Sequence, residues 1–241
     1  MQRTEQTLPE HVDAELNYFL DRGARPIVTS DAGEAERLRE MLLVKRVRVH
    51  NARQLAVEPA LDRNGFELRS EASAVTNFAD DALVRAVYYA EVDALIKRAT
   101  GAEKVVIFDH TVRLDSERRA AGIQEPVRSI HNDQSFVSGP RRVRDHLPLE
   151  EAERRLRGRF AIINVWRPIG RVVESAPLAL CDYPTIAPDD IIPTSFVDRG
   201  RVGEVCLFRA NPAHRWYYFP QMRPEEALLI KIYDSREDGT A

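Results

Sequence analysis

The stretch GEVCLFRANPAHRWYYFPQMRPEEALLIKIYD, residues 203–234, decides how the chain reads. It holds three apolar runs, GEVCLFRA, RWYYF and ALLIKIYD, separated by the Pro-containing segments NPAH and PQMRPEE. Each run is too short for an ordinary helix and rich in aromatic and branched residues, so each reads as a strand. Working outward, VVIFDH (105–110), VRSIHND (127–133) and RFAIINVW (159–166) have the same texture. Many short strands joined by long connections predict an antiparallel sandwich or barrel. One helical interruption, LEEAERRLR (149–157), carries mixed charges that suit a solvated face. The Arg-rich stretch 141–159 is interleaved with acids and reads mainly as surface.

The N-terminal part has a different texture. Residues 1–30 read as a polar arm packed on the body, and 31–44 (DAGEAERLREMLLV) as a short capped helix. Arg46 to His50 alternates charge with valine, a half-buried strand pattern. Asn64-Gly65 predicts a hairpin turn between 55–61 and 66–75. A helix is expected over 80–100, capped by Asp80 or Asp81 and ended by Gly101. Its Leu83, Val84, Val87, Tyr88, Val92 and Leu95 form one apolar stripe, expected to face a core. The organisation is therefore a single domain, 1–241: a helical and hairpin support region (1–103) and a β-rich core (104–241), mainly β with flanking helices.

Composition narrows the function classes. The chain has 241 residues and a net charge of 35 − 38 = −3, so no positive field recruits nucleic acid. No apolar run approaches the roughly 20 residues of a membrane span. Two cysteines, Cys181 and Cys206, make neither a disulfide framework nor a four-thiolate zinc site, and read as buried apolar residues. A soluble, cytoplasmic protein is expected.

The residues that could do chemistry are few. His131 and Asp133 stand two apart, so on a strand both side chains share a face. His214 opens a later strand-like run. Two imidazoles and a carboxylate are the ligand set of a mononuclear non-haem Fe(II) site with open positions. The competing reading is that His131 and Asp133 cap a turn and His214 is a hydrogen-bonded core histidine. Lys231, inside apolar ALLIKIY, needs an anion partner or an edge strand from which to snorkel. Arg167 ends the strand AIINVW, where a guanidinium can grip a carboxylate or form a structural ion pair. His110, with Asp109 and Arg113, lines the site or stabilises the barrel rim. Trp166, Tyr217, Tyr218 and Phe219 are candidates for cavity wall or core.

Six blocks, HNDQS, RVRDHLP, INVWRPI, PLALCD, HRWYYFPQM and LLIKIYDS, follow one another between Val105 and Ser235. In that order they resemble the AsaB-like hydroxylase/desaturase family, with its CmcJ-type and gibberellin desaturase-like relatives. The resemblance implies a double-stranded β-helix (jelly roll) and a dioxygenase that uses Fe(II), 2-oxoglutarate and O2 to hydroxylate or desaturate a small molecule, in secondary metabolism. It matches His131, Asp133 and His214 to the metal ligands. For the cosubstrate it offers positional analogy: Lys231 first, then Arg167, then Arg215, with Arg223 lower. The implied partner is a small-molecule substrate, with no nucleic acid and no membrane; oligomeric state stays open. Two alternatives remain: a non-catalytic jelly-roll partner of another biosynthetic enzyme such as a methyltransferase, and a cupin-like metalloenzyme that does not use oxoglutarate.

Overall fold

The computed structural model describes residues 8–21, 23, 27–29, 40–114, 127–198 and 201–236. In chain order the elements are β1 (His11–Phe19), β2 (Ile27–Thr29), β3 (Leu42–Asn51), α1 (Leu61–Asn64), β4 (Phe66–Ser70), α2 (Asp81–Leu83) and α3 (Tyr89–Thr100). There follow β5 (His131–Asn132), α4 (Ser138–His146), α5 (Leu149–Arg155), β6 (Ala161–Trp166) and β7 (Leu180–Cys181). The last strands are β8 (Ile191–Asp198), β9 (Arg201–Phe208), β10 (Trp216–Tyr218) and β11 (Glu226–Asp234).

The strands form three sheets, ordered β1-β3-β10-β7, β4-β11-β6 and β2-β8-β9-β5. Each sheet mixes strands from both halves of the chain. The N-terminal segment is thus more than a support: β3 runs parallel to β10, and β4 runs antiparallel to β11. The expected polar arm is in part β1. Its Val12, Ala14, Leu16 and Tyr18 alternate onto the core around Val49, Trp216 and Tyr218.

The helix expected over 80–100 is present, with Asp80 Oδ1 accepting from the Leu83 N–H at 3.1 Å and Gly101 left-handed at φ 72°. A π turn over Val84–Tyr88, which the sequence did not signal, separates α2 from α3. The apolar stripe packs Val84, Tyr88, Val92, Leu95 and Ile96 on one face of β4-β11-β6, against Ala227 and Leu229. The opposite face of that sheet packs Phe66 and Leu228 on Tyr217 and Leu180 of the first sheet.

Three other expectations change. Asn64-Gly65 does not turn a hairpin: α1 precedes it, and Gly65, at φ 82°, ends that turn of helix in the left-handed conformation. Leu42 to Val44, expected to be helical, belongs to β3, while 30–39 lies outside the described residues. VVIFDH forms no ladder among the described residues; Val105 and Ile107 pack on the helix layer while Val106 and Phe108 stay exposed. The helix α4 was also missed, because its RRVRDH reads as surface charge.

The fold brings two sheet edges together. β5 is one edge strand of the third sheet and β6 one edge strand of the second. Asn132 of β5 reaches the second sheet by donating from Nδ2 to the carbonyl of Ile232 on β11, the strand beside β6, at 3.0 Å. The residues that follow β5 sit at that seam.

Candidate metal centre at the β5–β6 seam

His131 and Asp133 meet at the seam, with Nε2 and Oδ1 3.5 Å apart. His131 Nδ1 is 2.8 Å from the Ser129 carbonyl, an acceptor only, so Nδ1 carries the proton. In the neutral ring, Nε2 then presents a lone pair to a carboxylate oxygen. Two acceptors facing each other call for a proton or a cation between them. Two donors each about 2.1 Å from one ion, at roughly right-angled to tetrahedral geometry, sit about 3.0–3.4 Å apart, so the spacing suits a shared metal. Asp133 is further fixed by Asn164 of β6, whose Nδ2 donates to Oδ2 at 2.8 Å.

The electrostatics agree. A third to a half of each side chain is open, 33% for His131 and 46% for Asp133, so their desolvation is partial. Burial pulls the His131 imidazole down, but the Asp133 carboxylate and the Ser129 carbonyl outweigh it and leave its pKa raised. Burial pushes the Asp133 carboxyl up, but His131 and Asn164 leave it lowered. The Arg113 guanidinium lowers both. That residue leaves a segment pinned along its length. Lys104 pairs with Glu151 at 2.7 Å, Phe108 stacks on His146 at 4.7 Å, and His110 Nδ1 lies 2.9 Å from Tyr89 Oη. His110 also lies 3.3 Å from Asp81, so it belongs to the helix side and not to the pair.

The remote imidazole does not join them. Trp216 Nε1, a donor only, gives its proton to the Tyr18 oxygen at 2.8 Å. The Tyr18 hydroxyl therefore donates to His214 Nδ1 at 3.0 Å, and His214 Nε2 donates to Asp190 at 3.0 Å. Asn211 Nδ2 and the Ala187 N–H complete the shell of Asp190. His214 is 2% exposed, and both ring nitrogens are engaged. Among the described residues, no group of three His, Cys, Asp or Glu side chains is arranged to hold a metal. The triad expected from spacing is present as a pair, with His214 lining the same extended cavity.

The three cations expected at the cosubstrate have their own partners away from the pair, although Arg167 and Lys231 line the same extended cavity. In the β11–β6 register Lys231 faces Ile163, on the helix side with Leu229 and Val165, whereas Ile230 faces Asn164. The anion partners of Lys231 are Asp234 at 2.9 Å and Asp62 at 3.0 Å, and its strand is central, so it is no snorkelling edge residue. Arg167 also turns to the helix side: Nε donates to Tyr88 Oη at 2.9 Å, and the guanidinium covers that ring at 5.0 Å. Arg215 is 56% exposed and lies 3.7 Å from Asp182. The structure also brings Asn164 and Arg113 to the pair. A lone amide in the apolar strand AIINVW was the signal for the first; the second stands in the 109–113 segment that the sequence left open between site and barrel rim.

The chain matches known proteins over nearly its whole length. A family profile described as "Oxidoreductase/YMDC permease-like domain" covers residues 16–241. No helix among the described residues is long and apolar enough to cross a membrane. The hydroxylase/desaturase CTB9 of Cercospora beticola is 34% identical over 261 aligned positions, 97% of this chain and 80% of that protein. The alpha-ketoglutarate-dependent dioxygenase phiK of a fungal species is 31% identical, over 95% of this chain and 85% of that protein. The iron and alpha-ketoglutarate-dependent endoperoxidase NvfI superposes with a TM-score of 0.83 at 27% identity, over 96% of this chain and 87% of that chain. The fold is accordingly the mainly β jelly roll of that enzyme class. Profile, relatives and fold agree that the chain belongs to the AsaB-like hydroxylase/desaturase family of the Fe(II)/2-oxoglutarate-dependent oxygenases.

Proposed function

We infer that this chain uses Fe(II), 2-oxoglutarate and O2 to hydroxylate or desaturate a small molecule of secondary metabolism. The observation that carries the reading is the His131–Asp133 pair, a lone pair and a carboxylate oxygen converging at 3.5 Å on the open seam. Bound there, Fe(II) with its cosubstrate and O2 supplies the oxidising power to take hydrogen from an unactivated carbon. The protein's part is to hold, orient and dry the reactants. His131 Nε2 and Asp133 Oδ1 provide two adjacent protein ligands and leave open positions for exchangeable ones. The Ser129 carbonyl fixes the His131 tautomer, and Asn164 fixes the Asp133 carboxylate.

His214 is the third ligand of this reading. To serve there, His214 would leave Asp190 and offer its Nε2 lone pair, with the ring proton moved to Nδ1, where the Tyr18 oxygen would accept it. Arg113, whose charge reaches both members of the pair, is the proposed partner for a cosubstrate carboxylate, ahead of Arg167, Lys231 and Arg215. The test is Fe(II)-dependent conversion of 2-oxoglutarate to succinate by the whole chain. Turnover that depends on iron and disappears in Asp133→Ala supports the reading. Iron-dependent turnover of other substrates without oxoglutarate consumption would instead favour the cupin-like alternative.

A further inference from the structure

We propose that Asn164 is a positioning residue that keeps Asp133 a one-oxygen ligand; the inference rests on the reading of His131 and Asp133 as the metal pair. Asn164 sits on β6, opposite Ile230 of β11. Its neighbours Ile163 and Val165 turn the other way and pack on the helix layer. Alternation therefore sends this amide toward the seam, where it packs against no core cluster and is exposed. An amide is a poor strand former, and this strand has no packing use for one.

Among the described residues its side chain makes one hydrogen bond, from Nδ2 to Asp133 Oδ2 at 2.8 Å. The amide orientation is forced, because only the NH2 end can donate to a carboxylate. Oδ2 is thereby engaged from the β6 side, while Oδ1 faces His131 Nε2. Free rotation of the carboxyl about its Cβ–Cγ bond would exchange the two oxygens or present both. The bond from Asn164 selects one. It also ties the two sheet edges at the point where the pair forms, so that Asp133 is set by a rigid strand although it lies beyond the end of its own. Outer partners of this kind govern metal affinity by about 10- to 100-fold.

The experiment is an anaerobic titration of the full chain with Co(II), whose visible bands report ligand number and geometry. The variants are Asn164→Leu, which removes the donor at similar volume, Asn164→Ala and Asp133→Ala. Circular dichroism confirms that each is folded, which the exposed position of Asn164 favours. The expected result is near-complete loss of binding in Asp133→Ala. Both Asn164 variants should lose about 10- to 100-fold in affinity and show a changed band pattern. Wild-type affinity and bands in the Asn164 variants, with binding still lost in Asp133→Ala, would overturn the positioning role alone. Wild-type binding in Asp133→Ala would overturn the metal pair, and this inference with it.

Discussion

His214 donates its Nε2 proton to Asp190 across 3.0 Å, at the end of a chain that starts at the Trp216 indole and passes through the Tyr18 hydroxyl. Burial pushes the Tyr18 phenol up to about 12, partly offset by the Trp216 N–H, so it stays a neutral donor. Cutting His214→Ala leaves a buried carboxylate and a buried hydroxyl without their partner. The expected loss is roughly 2–3 kcal/mol in urea denaturation. If His214 also exchanges onto the metal, the same variant loses Co(II) affinity under conditions where it is fully folded. Lost stability with unchanged affinity would leave His214 a core histidine.

Lys231 gives the opposite prediction. It is 1% exposed and its partner Asp234 is 0% exposed, so removing the ammonium takes one of two cations from a buried carboxylate and leaves Arg159. Lys231→Ala should destabilise by about 1–3 kcal/mol, because Arg159 still pairs with the carboxylate. At temperatures where the variant is folded, its affinity for 2-oxoglutarate should match wild type, because Lys231 faces the helix layer. A selective fall in that affinity, without loss of stability, would restore the anchoring role that the resemblance implied.

The same cluster sets an acid limit. Arg159 and then Lys231 hold the Asp62 carboxyl down to about 2, from an ordinary 3.8. For Asp234, burial pushes upward, but Arg159 and Lys231 outweigh it and the net shift is downward. A carboxylate with a depressed folded-state pKa binds fewer protons folded than unfolded, so its contribution is present above the unfolded value and lost as pH falls toward the folded one. Urea midpoints should therefore drop between about pH 4 and pH 2. In Asp62→Asn that drop should be shallower. An equal slope in the two proteins would remove Asp62 from the acid response.

Much of this was legible in the chain, for identifiable reasons. The runs at 161–166, 201–208, 216–218 and 226–234 are strands because their apolar character repeats with a short period and their neighbours bury them. The helix over 80–100 carries its own cap, stripe and terminal glycine. β1 was equally legible in the alternation of Val12, Ala14, Leu16 and Tyr18, but the polar residues between them masked it. VVIFDH shows the converse failure: its alternation is real in burial, with Val105 and Ile107 inward, yet among the described residues it pairs with no strand. At the site, spacing two apart was enough to join His131 and Asp133. The environment of Lys231 turns on register across β6, and that of His214 on Tyr18 and Asp190, 196 and 24 residues away. Pairings at such distances are properties of the fold.

The central claim is that His131 and Asp133 hold the iron. Its most direct test is an anaerobic titration with Fe(II) and 2-oxoglutarate that follows the weak visible charge-transfer band of the chelate. The band is expected in the wild-type chain and absent in His131→Ala at the same concentrations. A band of undiminished intensity in His131→Ala would contradict the assignment.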